Sequence, residues 1–346
     1  MSLTLSPRPM LVSPDVAVSL SCPSPCVPQA HVDVPGCGSV PGRGSVPRAD
    51  AAVSPGGLVA AVQVTSTGDK EHNWQQCSAL VRRAAAQGAR AVFLPEGFDF
   101  IGDSPQQSLA LAEPLHGDIV GRYRRLAKEC DVWLSLGGFH ERGDDWESTG
   151  RIYNCHLLLD NSGSVVAAYR KLHLFDAELP GGIRLSESSF TNPGRELLPP
   201  IPTPVGKVGL AVCYDLRFPE LAQALRGAGA QLLTFPSAFT VPTGAAHWEV
   251  LLRARAIECQ CYVVAAAQSG RHSASRASFG HSLVADPWGT VLAQCQEGPG
   301  LCLARVDLGY LERVRRELPV HGHRRGDIYG GTAATRGDSY GGTAAT

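Results

Sequence analysis

The sequence predicts an α/β fold in which short buried strands alternate with helices. The apolar runs Leu58–Val64 and Ala91–Leu94 have the length and composition of buried strands. Between them, a helical pattern starts at Asp69 and ends near Gly88. The alternation continues to residue 325 without a linker-like stretch, so we expect residues 58–325 to form one domain with helices covering a buried sheet.

The remaining predicted elements follow the same alternation. A helix over 119–130 precedes a strand over 132–136, and segments 152–159 and 165–169 predict a hairpin around Asn161–Gly163. Strands over 208–212, 231–235 and 262–266 then alternate with helices over 219–226 and 247–259. Three last strands are predicted near 282–285, 290–294 and 301–306.

Both ends of the chain differ in composition from this domain. Residues 1–57 hold ten prolines and six glycines, which disfavour helices and sheet ladders. We expect a disordered Pro/Gly/Ser-rich extension, with a cleaved targeting segment as the alternative. Residues 325–335 (RGDIYGGTAAT) and 336–346 (RGDSYGGTAAT) form a tandem repeat, so 326–346 are predicted to be a flexible duplicated tail. We interpret its two Arg-Gly-Asp tripeptides as chance occurrences.

The overall composition excludes several classes of function. The chain has 31 basic and 32 acidic residues, whereas a nucleic-acid binder usually carries a basic excess. No apolar run reaches the length of about 18–20 residues that a membrane span needs. The eleven cysteines have no disulfide-framework spacing, so reduced thiols in the cytosol or mitochondrial matrix are the simplest interpretation. We therefore expect no nucleic-acid and no membrane partner.

Familiar short motifs for phosphate, dinucleotide, serine-nucleophile and zinc sites do not occur. Cys259 and Cys261 form a pair, but a zinc site needs about four ligands, so we expect structural cysteines. His321 and His323 form a second pair that is more typical of a solvated or interface segment. The sequence thus predicts no metal site.

Three polar side chains directly follow predicted strands. Glu96 follows FLP, Lys171 follows AYR and Cys213 follows GLAV. Catalytic groups gather beyond the carboxyl ends of strands in α/β sheets. A thiol, a carboxylate and an amine can serve as nucleophile, base and oxyanion stabiliser. Each residue alone is more often structural, and spacing alone leaves both interpretations open.

The blocks FLPE (93–96), YRK (169–171) and CYDLRFPE (213–220) resemble the nitrilase superfamily of carbon–nitrogen hydrolases. Further blocks at 136–142, 152–156, 246–258, 260–268, 286–289 and 298–305 resemble its Nit branch. The resemblance covers about 58–330 and implies a single-domain α-β-β-α sandwich. It also implies that Glu96 is the general base, that Lys171 stabilises the tetrahedral intermediate and that Cys213 is the nucleophile.

The same resemblance implies further roles. Glu187 would support the lysine, the Tyr214 backbone N–H would bind the oxyanion, and Arg217 is a candidate for binding an anionic small-molecule amide. A structural ion pair is the alternative for Arg217. The resemblance implies no cofactor and a homodimer or larger homo-oligomer. From the reduced thiols we expect a cytoplasmic location, with the mitochondrion as a further compartment. The activity that the resemblance implies is hydrolysis of an amide through a cysteine thioester. The alternative functions are action on short ω-amides and a non-catalytic scaffold on the same fold.

Overall fold

A computed structural model of the chain describes residues 56–179 and 183–329. The helices are α1 (Lys70–Ala86), α2 (Pro105–Leu111), α3 (Asp118–Cys130), α4 (Trp146–Thr149), α5 (Pro219–Gly227), α6 (Val241–Cys259), α7 (Leu308–Glu317) and α8 (Gly326–Tyr329). The strands are β1 (Gly56–Val64), β2 (Ala89–Leu94), β3 (Trp133–Glu141), β4 (Tyr153–Leu159), β5 (Val165–Arg170), β6 (Asp176–Leu179), β7 (Ile183–Ser186), β8 (Ile201–Thr203), β9 (Gly206–Leu210), β10 (Leu232–Thr234), β11 (Tyr262–Ala265), β12 (Ala267–Arg271), β13 (Ala277–Phe279), β14 (Leu283–Ala285), β15 (Val291–Gln294) and β16 (Gly300–Asp307). Residues 1–55 of the predicted extension and 330–346 of the predicted tail lie outside the described residues. In the described part, no helix is long and apolar enough to cross a membrane.

Two sheets form the centre of the described domain. The first has eight strands in the order β13-β12-β1-β2-β3-β4-β5, with β16 also paired to β1. Strand β1 runs parallel to β2 and antiparallel to β16 from Gly56 to Gln63. The second sheet has six strands in the order β15-β14-β11-β10-β9-β8, of which β9, β10 and β11 are parallel. The hairpin β6–β7 stands apart from both.

The buried residues divide these elements into four layers. Alternate residues of β1 face opposite sides of the first sheet: Val62 lies in a core with Val81 of α1 and Leu126 of α3. Val59, on the other face, belongs to a core shared with the second sheet and with the inner faces of α5 and α6. The order helices, sheet, sheet, helices confirms the predicted α-β-β-α sandwich.

Most predicted elements are present, and the differences have local causes. The 152–169 hairpin is confirmed as the antiparallel pair β4–β5. Strand β3 runs on to Glu141 instead of ending at 136, because Gly137 and Gly138 form a bulge that lets pairing resume at Phe139. Helix α6 begins at Val241 rather than near 247, with a proline in its first turn. Residues 56 and 57 pair with β16 and so belong to β1.

Candidate active site

The three predicted strand-end residues converge at one edge of the sandwich. Glu96 follows β2 and Lys171 follows β5 in the first sheet, whereas Cys213 follows β9 in the second. The Lys171 ammonium donates to Glu96 Oε1 at 3.1 Å, and burial together with the Glu96 charge raises the pKa of the Cys213 thiol. Lys171 and Cys213 are buried, and the Glu96 side chain is 12% exposed. The two sheets therefore contribute different members of one polar cluster.

Glu187 joins this cluster on the other side of the lysine. Its Oε2 accepts from Lys171 Nζ at 2.8 Å and from the Phe175 backbone N–H at 2.7 Å. Glu187 begins a short 3₁₀ turn directly after β7. Lys171 thus lies between two carboxylates.

Asn154 is a residue of this site to which the sequence analysis gave no role. Its Nδ2 donates to Glu96 Oε1 at 2.8 Å and to Glu187 Oε1 at 3.0 Å. Its backbone carbonyl accepts from the Lys171 N–H at 2.9 Å. Asn154 therefore fixes both carboxylates relative to the lysine. The only sequence signal was a polar side chain within the apolar segment 152–159.

Cys213 has a strained backbone. Its φ of +46° lies in the left-handed region, which a side chain other than glycine rarely adopts. Buried Asp215 holds this turn: its Oδ2 accepts from the Val212 N–H at 2.9 Å and from the Tyr169 hydroxyl at 2.8 Å. Its Oδ1 accepts from His173 Nδ1 at 2.7 Å. The turn that carries Cys213 is therefore tied to β5, the strand that Lys171 follows.

Tyr214 and Arg217 lie next to the thiol along the same turn. The Tyr214 backbone N–H directly follows Cys213, and its ring packs against Phe175 at 4.9 Å. The Arg217 guanidinium lies 5.4 Å from the Phe239 ring centroid and 3.4 Å from His247 Nδ1. No carboxylate of the described residues is within ion-pair distance of Arg217. The predicted alternative of a structural ion pair therefore has no partner in this part of the chain.

The electrostatics of the cluster fix its resting protonation. Burial raises the pKa of Glu96, but the Lys171 charge and the hydrogen bonds from Asn154 and Lys171 outweigh it and leave the pKa below its ordinary value. Burial and the Glu96 charge raise the pKa of the Cys213 thiol well above its usual range. Burial lowers the pKa of Lys171, yet Glu187 and Glu96 raise it well above normal. At neutral pH Cys213 is thus a thiol, Glu96 a carboxylate and Lys171 an ammonium.

Gly138 permits the close approach of β3 to Glu96. Its φ is +66°, and a Cβ at this position would lie 2.8 Å from Glu96 Cα. We expect Gly138→Ala to lower the free energy of unfolding by about 2–4 kcal/mol, because alanine would have to adopt a left-handed φ and its Cβ would be packed too closely against Glu96. Displacement of Glu96 should also lower kcat by about 10²-fold.

A matched control is Gly150→Ala. Gly150 has φ +61° and nothing within 4 Å of a built Cβ, so only the backbone cost of about 1 kcal/mol should appear. Urea unfolding and kcat of both variants provide the measurement. Equal losses of stability and unchanged kcat in both would contradict the proposed contact with Glu96.

Two buried histidines make stability depend on pH. His156 bridges the sheets: Nδ1 donates to Ala211 O at 2.9 Å and Nε2 accepts from the Ser135 hydroxyl at 2.6 Å. His272 is also buried and bonded through both nitrogens, to Ser66 O and to the Ser278 hydroxyl. Burial lowers the pKa of each to about 4 from 6.5. The unfolded chain therefore binds more protons between pH 6.5 and 4, and stability falls as pH falls through that window.

From pH 7 to 5 each of these histidines should cost about 2 kcal/mol of unfolding free energy. Urea titrations at pH 7, 6 and 5 measure this decline. In His272→Gln the decline in unfolding free energy should be smaller by the contribution of one histidine, about 2 kcal/mol, because the glutamine amide does not titrate. The same decline in the variant and the wild type would show that His272 is not a source of it.

The cysteine pair and the histidine pair noted in the sequence differ in burial. Cys259 and Cys261 are fully buried, and the Cys261 thiol donates to Ala230 O at 3.3 Å, as expected for structural cysteines. His321 is half-buried and His323 is exposed. A cavity of about 400 Å³ is lined by residues such as Tyr153, Arg170 and Arg195, but by none of Glu96, Lys171 and Cys213. The polar cluster, rather than this cavity, therefore locates the chemistry.

The chain is similar to several known proteins. The carbon–nitrogen hydrolase family profile matches residues 58–316. Deaminated glutathione amidase of Homo sapiens is 59% identical over 90% of this chain and 94% of that protein, and the Mus musculus protein is 63% identical over 79% and 84%.

Solved structures are also similar. The C. elegans NitFhit protein superposes with TM-score 0.75 and 49% identity over 79% of this chain and 66% of that one. Saccharomyces cerevisiae Nit3, a member of branch 10 of the nitrilase superfamily, has TM-score 0.69 and 32% identity over 78% and 96%. A mutant of the amidase from Nesterenkonia sp. AN1, with an acetamide moiety added covalently at its active-site cysteine, has TM-score 0.62 and 29% identity over 81% and 99%.

Proposed function

We propose that this chain, which belongs to the carbon–nitrogen hydrolase family, hydrolyses deaminated glutathione to 2-oxoglutarate and cysteinylglycine. The observation that carries the proposal is 58–63% identity to proteins named deaminated glutathione amidase. The convergence of Glu96, Lys171, Glu187 and Cys213 supports it, because a non-catalytic scaffold has no need of such a cluster.

In the proposed mechanism, Glu96 takes the proton of Cys213 as the sulfur attacks the amide carbonyl. The raised pKa of the thiol and the lowered pKa of Glu96 make this transfer unfavourable in the free site, so it is coupled to bond formation. The Lys171 ammonium and the Tyr214 N–H stabilise the oxyanion; such a donor is worth about 2.7–4 kcal/mol. Glu187 holds Lys171 charged and in place.

The tetrahedral intermediate collapses to a thioester as the amine leaves with the proton from Glu96. Glu96 then takes a proton from water as the oxygen adds to the thioester carbonyl. Collapse of this intermediate breaks the carbon–sulfur bond and releases the acid, and the Cys213 sulfur takes the proton back from Glu96. Arg217 binds a substrate carboxylate, since its half-buried guanidinium lies close after Cys213 in the chain and has no carboxylate partner among the described residues. These steps use side chains and backbone of the chain and require no metal or organic cofactor.

Side-by-side kinetics test the substrate. We expect kcat/KM for deaminated glutathione to exceed that for α-ketoglutaramate, a short ω-amide, by about tenfold or more, because the cysteinylglycine part adds binding energy. Arg217→Gln should raise KM for both substrates. A higher kcat/KM for α-ketoglutaramate would favour the ω-amidase alternative.

We further propose that the protein is a homodimer or larger homo-oligomer located in the cytoplasm and also in mitochondria. The exposed apolar side chains Val250 and Ile257 of α6, with Trp288 nearby, provide a surface for self-association. Light scattering of the wild type and Val250→Asp tests the assembly: the variant should shift towards monomer. Subcellular fractionation tests the location.

A further inference from the structure

Four basic side chains converge where α5 ends. Arg226 is in the last turn of α5, Arg315 is in α7, and His321 and Arg324 follow α7; we call these four the basic cluster. All four side chains are partly buried. None of them belongs to the candidate active site.

Hydrogen bonds connect α5, α7 and the segment that follows α7. Arg315 donates to Gln260 O at 3.0 Å and to Ala230 O at 2.7 Å, just beyond the end of α5. Arg324 donates through Nη2 to the side chain of Gln223. Gln223 and Arg226 are three residues apart on α5 and so share one face of the helix. The cluster is therefore built from parts of the chain about 90 residues apart.

Several polar atoms of the basic cluster have no protein partner. Arg226 Nε, Arg324 Nε and His321 Nδ1 are buried and make no hydrogen bond with the described residues. A buried polar atom that is left without a hydrogen-bond partner destabilises the fold. Three such atoms in one place are unusual for a surface that binds nothing.

The charge of the cluster is also unbalanced. Within the described residues the one carboxylate in ion-pair contact with it is Glu312, 3.8 Å from Arg315 and more than half exposed. Guanidinium groups do not lose their protons, so three of them beside one carboxylate leave two uncompensated positive charges. Burial, followed by the neighbouring arginines, lowers the pKa of Arg226 and of His321.

We propose that the basic cluster is a binding site for a dianionic oxyanion of the phosphate class. Two negative charges match the uncompensated charge, and the oxygens can accept from the unpaired Nε atoms of Arg226 and Arg324 and from His321. The forked donors of arginine suit the tetrahedral anion. An acidic side chain from a second copy of the chain is the competing occupant that the experiment must distinguish.

The test is calorimetric titration of the full chain with inorganic phosphate, with chloride at matched ionic strength as reference. The wild type should bind one phosphate per chain with a Kd below about 1 mM, and Arg226→Gln should bind at least about tenfold more weakly. Arg316→Gln, which removes an exposed charge from the same helix α7, should bind like the wild type. Arg217→Gln should also retain binding, which separates this site from the catalytic one.

A second readout does not need the ligand. Without phosphate, Arg226→Gln should keep or raise Tm by a few degrees, because a partly buried, uncompensated charge is removed. Arg324→Gln repeats the binding test if Arg226→Gln does not fold. Absence of saturable binding, or equal binding by Arg226→Gln and the wild type, would overturn the proposal. So would loss of the oligomer in Arg226→Gln without any phosphate binding, which would assign the cluster to a second copy.

Discussion

Replacing Cys213 with alanine is expected to abolish amide hydrolysis, with kcat falling by at least about 10⁴-fold. Without the sulfur no thioester can form, and the remaining donors stabilise only a slow direct attack by water. The fold should survive, because alanine at φ +46° carries the same backbone cost as cysteine and removes only one buried atom, worth about 1 kcal/mol.

Release of 2-oxoglutarate from deaminated glutathione, followed by a coupled dehydrogenase assay, measures the loss. Cys259→Ala is the matched control, since it removes an equally buried thiol that is remote from the polar cluster. Mass spectrometry should detect an acyl adduct in the wild type and none in Cys213→Ala. Substantial turnover by Cys213→Ala would rule out the thioester mechanism.

Replacing Glu96 with glutamine is expected to lower kcat by about 10²–10⁴-fold, because the amide cannot take the thiol proton. Glu96 Oε1 accepts from Asn154 and Lys171, and Oε2 accepts from the Ala238 N–H at 2.9 Å. An amide must therefore place its NH₂ against a donor on one side, which should also cost about 1–2 kcal/mol of stability.

Glu187→Gln is the comparison that isolates proton transfer. Both variants remove one negative charge beside Lys171, but Glu96 is the carboxylate whose charge, together with burial, raises the pKa of the Cys213 thiol. We expect Glu187→Gln to lower kcat by about 10–10²-fold, through a less well-held lysine. Equal losses in the two variants would mean that Glu96 acts by charge alone and not as a base.

The sequence predicted the catalytic candidates better than their surroundings. An apolar run precedes each of Glu96, Lys171 and Cys213, so the ends of these strands could be predicted from the sequence alone. That these ends meet depends on the packing of two sheets, which no local pattern specifies. Only the family resemblance supplied the order of the layers and the role of Glu187.

The supporting residues were missed for a physical reason. Asn154 lies near the start of β4, and it reaches the site because β4 runs antiparallel to β3. The Ala238 N–H belongs to a loop and carries no side-chain signal at all. Asp215 resembles any acidic residue of a surface turn until its burial and its four donors are seen. Chain direction and burial, rather than residue type, decide such roles.

The buried, protonated thiol of Cys213 has a consequence for covalent inhibition. Alkylating agents and peroxide react with thiolates, so the resting enzyme should resist both better than enzymes whose cysteine is already ionised. An electrophile that places an oxygen against the Lys171 ammonium would instead draw the proton to Glu96 and create its own target. Selectivity among cellular thiols would then come from the shape of the warhead and not from its reactivity.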